Sequence, residues 1–484
     1  MSFARSKAKA GGIRKEIIMK KVFCICMLFM MSFIMCKAQS IDMEYGMGCL
    51  PETDIASIPK QVQFMERDFK DLPSKYSLLS YCPTPQSQGQ YGTCTSWATA
   101  YAFRTILDAI RYEWTDKQKI TKEAYSPLFI YAQIKNQYDS DCRQGSLISD
   151  AMKRLRDIGA VKKNTFDVLC ASSVSSSLIS SASANKISSY SCLVTYGQHV
   201  MEPVKISLIK KALSEKQPVV IAMHVYPSFN NCKDVWDGNI SGISGYHAMC
   251  VVGYDDNKYG GAFLIQNSWG ERWGNGGYTW VKYMDFCKTV DQAYTGVLPY
   301  TPSPVTKKNL LKGELNLQLS TGASMQVTLN KNDGLPHYDV RGSFISGTRY
   351  RLYLTNNEPA FVYIIGSDLN SNINRVFPPR DDISPALTYK QCHVAIPDEK
   401  WFIEMDNNPG IDFMCVLYAK HELDLKSVMG AVRRGSGTFY DKLKQALGTT
   451  LVPTTDINFS SSKISFDAAT NGTVVPVIVT INHK

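Results

Sequence analysis

Cys94 lies in a segment whose residue types suit nucleophilic chemistry. Gln88 stands six residues earlier, in Gln88-Gly-Gln-Tyr-Gly-Thr-Cys94. The small and apolar residues that follow recur with the period of a helix that buries one face, at Ala98, Tyr101, Ala102, Thr105, Ile106 and Ala109. Cys94 is therefore predicted at a helix N-terminus, where unpaired N–H groups and the helix dipole lower a thiol pKa from about 8.5. The Gln88 amide is placed to donate to an oxyanion.

A histidine and an asparagine far downstream are predicted to meet across a hairpin. His247 lies near the start of one apolar run, residues 245–254, and Asn267 follows a second run, residues 263–266. The polar, glycine-rich residues 255–261 between the runs are typical of a hairpin turn. Imidazole can take a thiol proton, and an asparagine carbonyl can hold the ring in the required tautomer. With Cys94, these residues predict a Cys-His-Asn catalytic site.

Three motifs in this order resemble the papain family of cysteine peptidases. They are Gln88-Gly-x-x-Gly-x-Cys94, Gly245-x-His247-Ala and Asn267-Ser-Trp-Gly. His247 and Asn267 follow Cys94 at the distance that the family signature expects, roughly 150 residues. The resemblance implies that Cys94 is the nucleophile, His247 the general acid and base, Asn267 the orienting residue and Gln88 the oxyanion donor.

Two more positions acquire roles from the resemblance. Trp269 would shield the His–Asn hydrogen bond from water, and the backbone of Gly145 would pair with an extended substrate. The sequence also departs from the family pattern, because Ser96 is an insertion and Tyr91 replaces a half-cystine. The family disulfide near the site therefore cannot form, which leaves Cys142 without the partner that its position suggests.

Other cysteines leave the disulfide pattern open. Cys49 with Cys82 and Cys170 with Cys192 are possible pairs, but no pairing follows from sequence alone. We expect no metal and no cofactor, because the chain lacks paired Cys-x-x-Cys knuckles, a P-loop and a dinucleotide-binding glycine motif.

The N-terminal residues predict export. Lys20 and Lys21 precede an apolar run, residues 22–35, of the length of a signal-peptide core and too short for a membrane span. Residues 1–18 are interpreted as an upstream extension, with a cut after Ala38; a lipoprotein cut at Cys36 is the alternative. Residues 1–38 hold eight Lys or Arg and one Glu, so most of the net charge of +10 leaves with them. A nucleic-acid partner is therefore not expected.

Length and pattern predict two folded domains of an α+β chain. Residues 39–75 form a short N-terminal or pro segment, residues 76–300 a two-lobe papain-like domain, and residues 301–312 a Pro-containing linker. Residues 313–484 alternate with period two, as in Glu314-Leu-Asn-Leu-Gln-Leu, and predict a β-rich, sandwich-like accessory domain. Residues from about 344 to 419 resemble a bacterial domain of unknown function appended to enzymes, and its partner is unknown.

The predicted function is that of an exported endopeptidase that acts on proteins or peptides through a thioester acyl-enzyme. Acyl transfer to an amine by the same triad is one alternative. A non-catalytic binding or adhesion protein on a peptidase scaffold is another, because Ser96 and the missing half-cystine could distort the site. The sequence does not indicate the preferred side chain of the substrate.

Overall fold

The computed structural model describes residues 45–62, 64–198, 200–300, 308–332, 335–367 and 372–484. Residues 45–484 form one compact unit. The predicted signal peptide, residues 39–44 of the predicted pro segment and residues 301–307 of the predicted linker lie outside the described residues. The predicted domain boundaries remain a prediction.

A mainly antiparallel sheet supports the C-terminal half of the predicted peptidase domain. Its strands are β1 (Lys75–Ser77), β2 (Ser189–Val194), β3 (Val219–Val225), β4 (Gly245–Asp255), β5 (Ala262–Gln266), β6 (Tyr278–Lys282) and β7 (Val290–Val297). The strand order is β2-β7-β3-β4-β5-β6, and β1 pairs with β4. β4 and β5 form the predicted antiparallel hairpin, with Cys250 opposite Gln266. The register brings the start of β4 and the residue after β5 to one end of the sheet.

Helices are the main regular elements between β1 and β2. Helix α1 begins at Cys94 and comprises Cys94–Ser96, a π-helical stretch Trp97–Arg104, and Thr105–Arg111. The other helices of residues 80–300 are α2 (Lys117–Lys122), α3 (Pro127–Ile134), α4 (Ile148–Asp157), α5 (Ser176–Ala182), α6 (Glu202–Ser214), α7 (Pro227–Asn230) and α8 (Tyr283–Thr289). The sequence predicted α1, α3, α4 and α6 to within a few residues.

Helix α1 differs from the predicted amphipathic helix in two respects. Every residue from Cys94 to Ala109 is buried, so the helix has no solvent face in this stretch. Its middle is π-helical, and wider i→i+5 turns take up extra residues within an otherwise α-helical path. The insertion at Ser96 directly precedes these wider turns, which explains how the helix accommodates it while Cys94 remains the first residue.

The C-terminal region has three layers. One sheet contains β9 (Val327–Asn330), β10 (His337–Phe344), β12 (Ala360–Ser367), β13 (Ile373–Phe377), β14 (Ala386–Leu387), β17 (Gly410–Ala419) and β20 (Val474–His483). The other contains β8 (Asn309–Leu319), β11 (Arg349–Asn356), β15 (His393–Ile396), β16 (Ile403–Glu404), β18 (Ile457–Phe459) and β19 (Ile464–Thr470). Helices α9 (Leu425–Arg434) and α10 (Phe439–Leu447), which the sequence did not predict, cover the first sheet.

Strand β12 shows how this region buries both faces of its larger sheet. Val362 and Ile364 join the core cluster that also contains the smaller sheet, whereas Phe361, Tyr363 and Ile365 join the cluster of α9 and α10. Successive side chains of a strand point to opposite faces, so a continuous apolar run is required when both faces are covered. The prediction of a β-rich domain is confirmed.

The segment before the peptidase domain connects it to the C-terminal region. We call residues 58–62 and 64–69 the strap. On one side, the carbonyl of Pro59 accepts a hydrogen bond from the Cys192 N–H at 2.8 Å. On the other, the N–H of Lys60 donates to the Asp382 carbonyl at 2.7 Å, and its ammonium lies 2.9 Å from the Asp382 carboxylate. The strap thus lies between the two regions.

The disulfide pattern corrects two expectations. Cys142 is bonded to Cys170, with Cα atoms 5.5 Å apart, so Cys142 does have a partner. The proposed pairs Cys49–Cys82 and Cys170–Cys192 are wrong, because Cys49, Cys82 and Cys192 are free buried thiols. Within the described part of the chain, no helix combines the length and the apolar character that crossing a bilayer requires.

Candidate active site

Cys94 is the first residue of helix α1 and is fully buried. Its Sγ accepts a hydrogen bond from the N–H of Ala248 at 3.5 Å. Ala248 follows His247 in strand β4, so this contact ties the thiol to the strand that carries the predicted base. The helix and the sheet therefore meet at Cys94.

His247 and Asn267 form the hydrogen bond that the sequence predicted. His247 Nε2 lies 2.7 Å from Asn267 Oδ1, and both residues are buried. Because an amide oxygen only accepts, Nε2 carries the proton and Nδ1 of the neutral ring carries a lone pair. Nδ1 is buried without a hydrogen-bond partner among the described residues. This ring is in the tautomer that can accept a thiol proton.

Trp269 covers the His–Asn pair. Its ring stacks on the His247 ring with centroids 4.7 Å apart, and it is 3% exposed. Trp273 packs edge-on against Trp269 and donates its indole N–H to the Phe229 carbonyl at 3.1 Å. Trp269 thus excludes water from the hydrogen bond, and Trp273 supports it from the core.

The side chain of Gln88 is held at both ends. Its Oε1 accepts from the Ser268 hydroxyl, and its Nε2 donates to the Tyr91 carbonyl at 2.7 Å and to the Gly46 carbonyl at 3.1 Å. The Gln88 amide therefore already donates to backbone carbonyls of the chain itself.

The Gly46 carbonyl belongs to residues 45–50, which we call the plug. They fill the cleft beside Cys94 and His247. Tyr45 stacks on Trp269 with centroids 4.6 Å apart, and the Gly46 carbonyl also accepts the Trp269 indole N–H at 3.1 Å. At the other end, Cys49 pairs as a parallel bridge with Ser146. The plug runs from Trp269, past Cys94, to the start of helix α4.

Two glycines permit this close approach. A Cβ atom on Gly48 would lie 2.2 Å from the Gly92 carbonyl oxygen, and one on Gly46 would lie 2.3 Å from that of Tyr91. Real Cβ atoms do not approach backbone atoms this closely, so only glycine fits at either position. The sequence Gly46-Met-Gly48 is therefore required for the plug to occupy the cleft.

Gly145 is the residue that the sequence predicts to pair with an extended substrate, and that role stays a prediction. Its N–H donates to the Tyr131 hydroxyl at 3.2 Å, and it adopts φ +81. The neighbouring Ser146 makes the backbone pairs instead, donating to the Gly48 carbonyl at 2.8 Å and accepting from the Leu50 N–H at 3.0 Å. Gly145 provides space, since a Cβ there would lie 2.2 Å from the Gly48 oxygen.

The protonation state of the pair is opposite to the sequence expectation. Burial raises the pKa of the Cys94 thiol, and the backbone N–H donors of Ala248 and Gly48 offset this only in part. Burial also lowers the pKa of His247 to about 4. Under the plug, loss of hydration outweighs the helix N-terminus, so the pair is a neutral thiol and a neutral imidazole.

Sequence reasoning missed a second group of polar residues beside the cleft: Glu52, Ser149 and Tyr294. Glu52 is 4% exposed and contacts both of the others. A charged residue between the exposed Pro51 and Thr53 gives no sequence signal of burial. In the described residues, no group of three or more His, Cys, Asp or Glu side chains is arranged to hold a metal ion.

Comparisons with known proteins identify relatives of this region. Residues 80–297 match the family described as papain family cysteine protease. An uncharacterized peptidase C1-like protein of Acanthamoeba polyphaga mimivirus is 27% identical over 206 residues, 40% of this chain and 61% of that protein. A probable cysteine protease of Arabidopsis thaliana is 32% identical over 87 residues, 18% of this chain and 23% of that protein. The chain thus spans less than two thirds of the length of these relatives.

Among solved structures, xylellain, a cysteine protease from Xylella fastidiosa, is 23% identical with a TM-score of 0.42, covering 53% of this chain and 97% of that chain. Digestive procathepsin L 3 of Tenebrio molitor is 17% identical with a TM-score of 0.40, covering 53% and 77%. The family match spans both Cys94 and the strands that carry His247 and Asn267. Residues 80–297 of this chain therefore match the papain family of cysteine proteases, and they fold as an α+β domain.

Proposed function

We propose that this chain is an exported cysteine endopeptidase that hydrolyses peptide bonds through Cys94, His247 and Asn267. The observation that carries the proposal is the buried 2.7 Å contact between His247 Nε2 and Asn267 Oδ1, which leaves Nδ1 able to accept the proton of Cys94. A cysteine–imidazole pair oriented by a third group is the arrangement that nucleophilic catalysis requires.

The proposed reaction has two stages. His247 takes the Cys94 proton, the thiolate attacks the substrate carbonyl, and the oxyanion accepts hydrogen bonds from the Gln88 amide and the Cys94 N–H. The tetrahedral adduct collapses to a thioester as His247 returns the proton to the leaving amine. A water molecule deprotonated by His247 then hydrolyses the thioester and regenerates the thiol.

We further propose that the chain with its plug in the cleft is latent. The Gly46 carbonyl takes the hydrogen bond of the Gln88 amide, and Cys94 is fully buried. A substrate therefore requires displacement of the plug. Residues 53–57 connect the plug to the strap and are mostly exposed, so a cut there would free the plug and leave the strap bound.

The test uses the chain from Gln39 with a site-specific protease sequence inserted within residues 53–57. We expect hydrolysis of a mixed fluorogenic peptide library to appear after the cut and to vanish in Cys94→Ala and His247→Ala. Cys287→Ala is the matched control, because Cys287 is a free, half-buried thiol on helix α8 whose Sγ donates to the Glu202 carbonyl. Activity that survives in Cys94→Ala would contradict the assignment.

A thiol-directed peptide inhibitor separates the remaining alternatives. Stoichiometric labelling of Cys94 with no hydrolysis of any peptide would support a binding protein on a peptidase scaffold. Amide products that appear only when an amine is added would indicate acyl transfer. Sequencing the N-terminus of the chain recovered outside the producing cells tests the proposed export and the cut after Ala38.

A further inference from the structure

The carboxylate of Glu52 is buried although the residue lies on the exposed connection that follows the plug. Its side chain is 4% exposed, whereas Pro51 and Thr53 on either side are exposed. A buried carboxylate is costly unless hydrogen bonds replace its hydration. The surroundings of Glu52 must therefore supply those hydrogen bonds.

Three donors from the peptidase domain hold this carboxylate. The N–H of Ser149 donates to Oε1 at 3.1 Å, the Ser149 hydroxyl donates to Oε2 at 2.8 Å, and the Tyr294 hydroxyl donates to Oε1 at 3.0 Å. Ser149 is in the first turn of helix α4, where the helix dipole favours an anion. Tyr294 is completely buried in strand β7, so its hydroxyl is fixed. These partners are neutral. The negative charge of nearby Asp150 opposes ionisation of Glu52.

The Glu52 carboxylate and its donors belong to different parts of the chain, which separate if the plug leaves the cleft. Leu50, two residues before Glu52, is hydrogen-bonded to Ser146, three residues before Ser149, so the carboxylate lies beside the part of the cleft that the plug occupies. Without Glu52, the Tyr294 hydroxyl still has an acceptor, because Gln292 Oε1 lies 3.3 Å away. The Tyr294 donor is therefore not left unsatisfied by departure of the plug, and the half-buried Ser149 can donate to water.

We propose that Ser149 and Tyr294 form a carboxylate-binding subsite of the substrate cleft, which Glu52 fills in the latent chain and an acidic substrate side chain fills in the open enzyme. This inference rests on the proposed function, because it takes the cleft to be a substrate site. The chemical class of ligand is a peptide with a Glu or Asp side chain near the scissile bond.

The test measures binding as well as hydrolysis, so that the two proposals can fail separately. The Cys94→Ala chain, cut within residues 53–57, is titrated with fluorescent peptides that carry Glu, Gln or Leu at each position in turn. We expect one position at which, at pH 5, the Glu peptide binds about tenfold more tightly than its Leu counterpart, which leaves the Ser149 and Tyr294 donors unpaired. Because burial raises the pKa of a carboxyl in this site, the affinity for the Glu peptide should fall as pH rises, whereas that for the Gln peptide should not. The advantage over Leu should shrink in Tyr294→Phe, while the affinity for the Leu peptide stays unchanged and reports an intact fold.

Hydrolysis by the cut parent chain gives the second readout, in which the same position should show the same preference in kcat/KM. Equal binding of Glu and Leu peptides at every position would overturn the subsite and would leave the peptidase proposal intact. A binding preference without any hydrolysis would support the subsite and contradict the peptidase. In the uncut chain, Glu52→Leu should accelerate alkylation of Cys94, because it removes the acceptor of the Ser149 and Tyr294 donors, and Asp54→Leu, which changes an exposed carboxylate two residues away, should not.

Discussion

At the scale of single residues, the neutral state of the candidate site follows from burial. The Cys94 thiol has a raised pKa and the His247 imidazole a lowered one, each chiefly because the charged form loses its hydration. A thiolate–imidazolium pair requires that water or a polar substrate reach the cleft. The plug thus keeps the Cys94 thiol neutral as well as covered.

Gln88 gives the sharpest prediction at this scale. Its Nε2 already donates to the Gly46 carbonyl at 3.1 Å, so the same amide can donate to a developing oxyanion once the plug leaves. In the cut enzyme, Gln88→Ala should lower kcat by roughly 100- to 1,000-fold with little change in KM, because the contact strengthens in the transition state.

The control is Gln90→Ala, which removes the same side chain from an exposed position two residues away. It should leave both kinetic constants unchanged. A Gln88→Ala enzyme with unchanged kcat would show that the oxyanion is stabilised by other donors.

At the scale of elements, the plug depends on backbone approach more than on side chains. Gly48→Ala places a methyl group 2.2 Å from the Gly92 carbonyl, a distance that requires the plug to move away. We therefore expect the uncut Gly48→Ala chain to show a several-fold faster alkylation of Cys94, located by peptide mapping. Gly366→Ala, where the nearest atom to the new Cβ is 3.5 Å away, is the control and should match the parent. An unchanged rate in Gly48→Ala would mean that the plug already leaves freely.

The plug should also bind less tightly in acid. His247 has a pKa of about 4 in the closed cleft, against an ordinary value of 6.5 that it should approach when water enters. The closed state is thus fully stable above pH 6.5 and loses stability as pH falls toward 4. Glu52 acts in the opposite direction, because burial raises its pKa and its closed state weakens as pH rises above 4.5.

A peptide of residues 45–55 with Glu52→Gln isolates the histidine contribution. We expect its affinity for the cut Cys94→Ala chain to fall roughly 10- to 30-fold between pH 7.5 and pH 5. The decrease should disappear in a chain that also carries His247→Ala. A pH-independent affinity for the parent cleft would contradict the assignment of His247 as the buried, neutral base.

The elements that position the site could largely be predicted from sequence, because each carries a local pattern. Apolar runs around His247 and before Asn267 gave the hairpin, and the motif at Cys94 gave the start of helix α1. The plug could not be predicted, since Gly46 and Gly48 lack a local period and act only through contact with residues 91 and 92. The same holds for the Cys142–Cys170 bond and for helices α9 and α10, whose amphipathic patterns lie within a region dominated by strands.

At the scale of the whole molecule, the strap links the C-terminal region to the segment that occupies the cleft. Lys60, between the two regions, bonds with Asp382, and the Met65 N–H donates to the His393 carbonyl at 3.0 Å. These contacts fix the point from which residues 53–57 lead back to the plug. We therefore expect the C-terminal region to hold the downstream end of this segment in place, even after a cut.

Phe64 tests whether the strap couples the two regions. It is 3% exposed, packs on Tyr389 with ring centroids 5.3 Å apart, and pairs through its backbone with Val394. Phe64→Ala should destabilise the chain by about 3–5 kcal/mol, the usual cost of emptying such a site, and the loss should fall on the contact between regions. Urea unfolding followed by fluorescence should then change from one transition to two.

Phe402→Ala is the matched control, because Phe402 lies within the C-terminal region, half-buried beneath the guanidinium of Arg351. It should shift the unfolding midpoint without splitting the transition. If Phe64→Ala also unfolds in a single transition, the two regions are coupled by contacts other than the strap, and the C-terminal region would stabilise the peptidase domain without holding the latent segment.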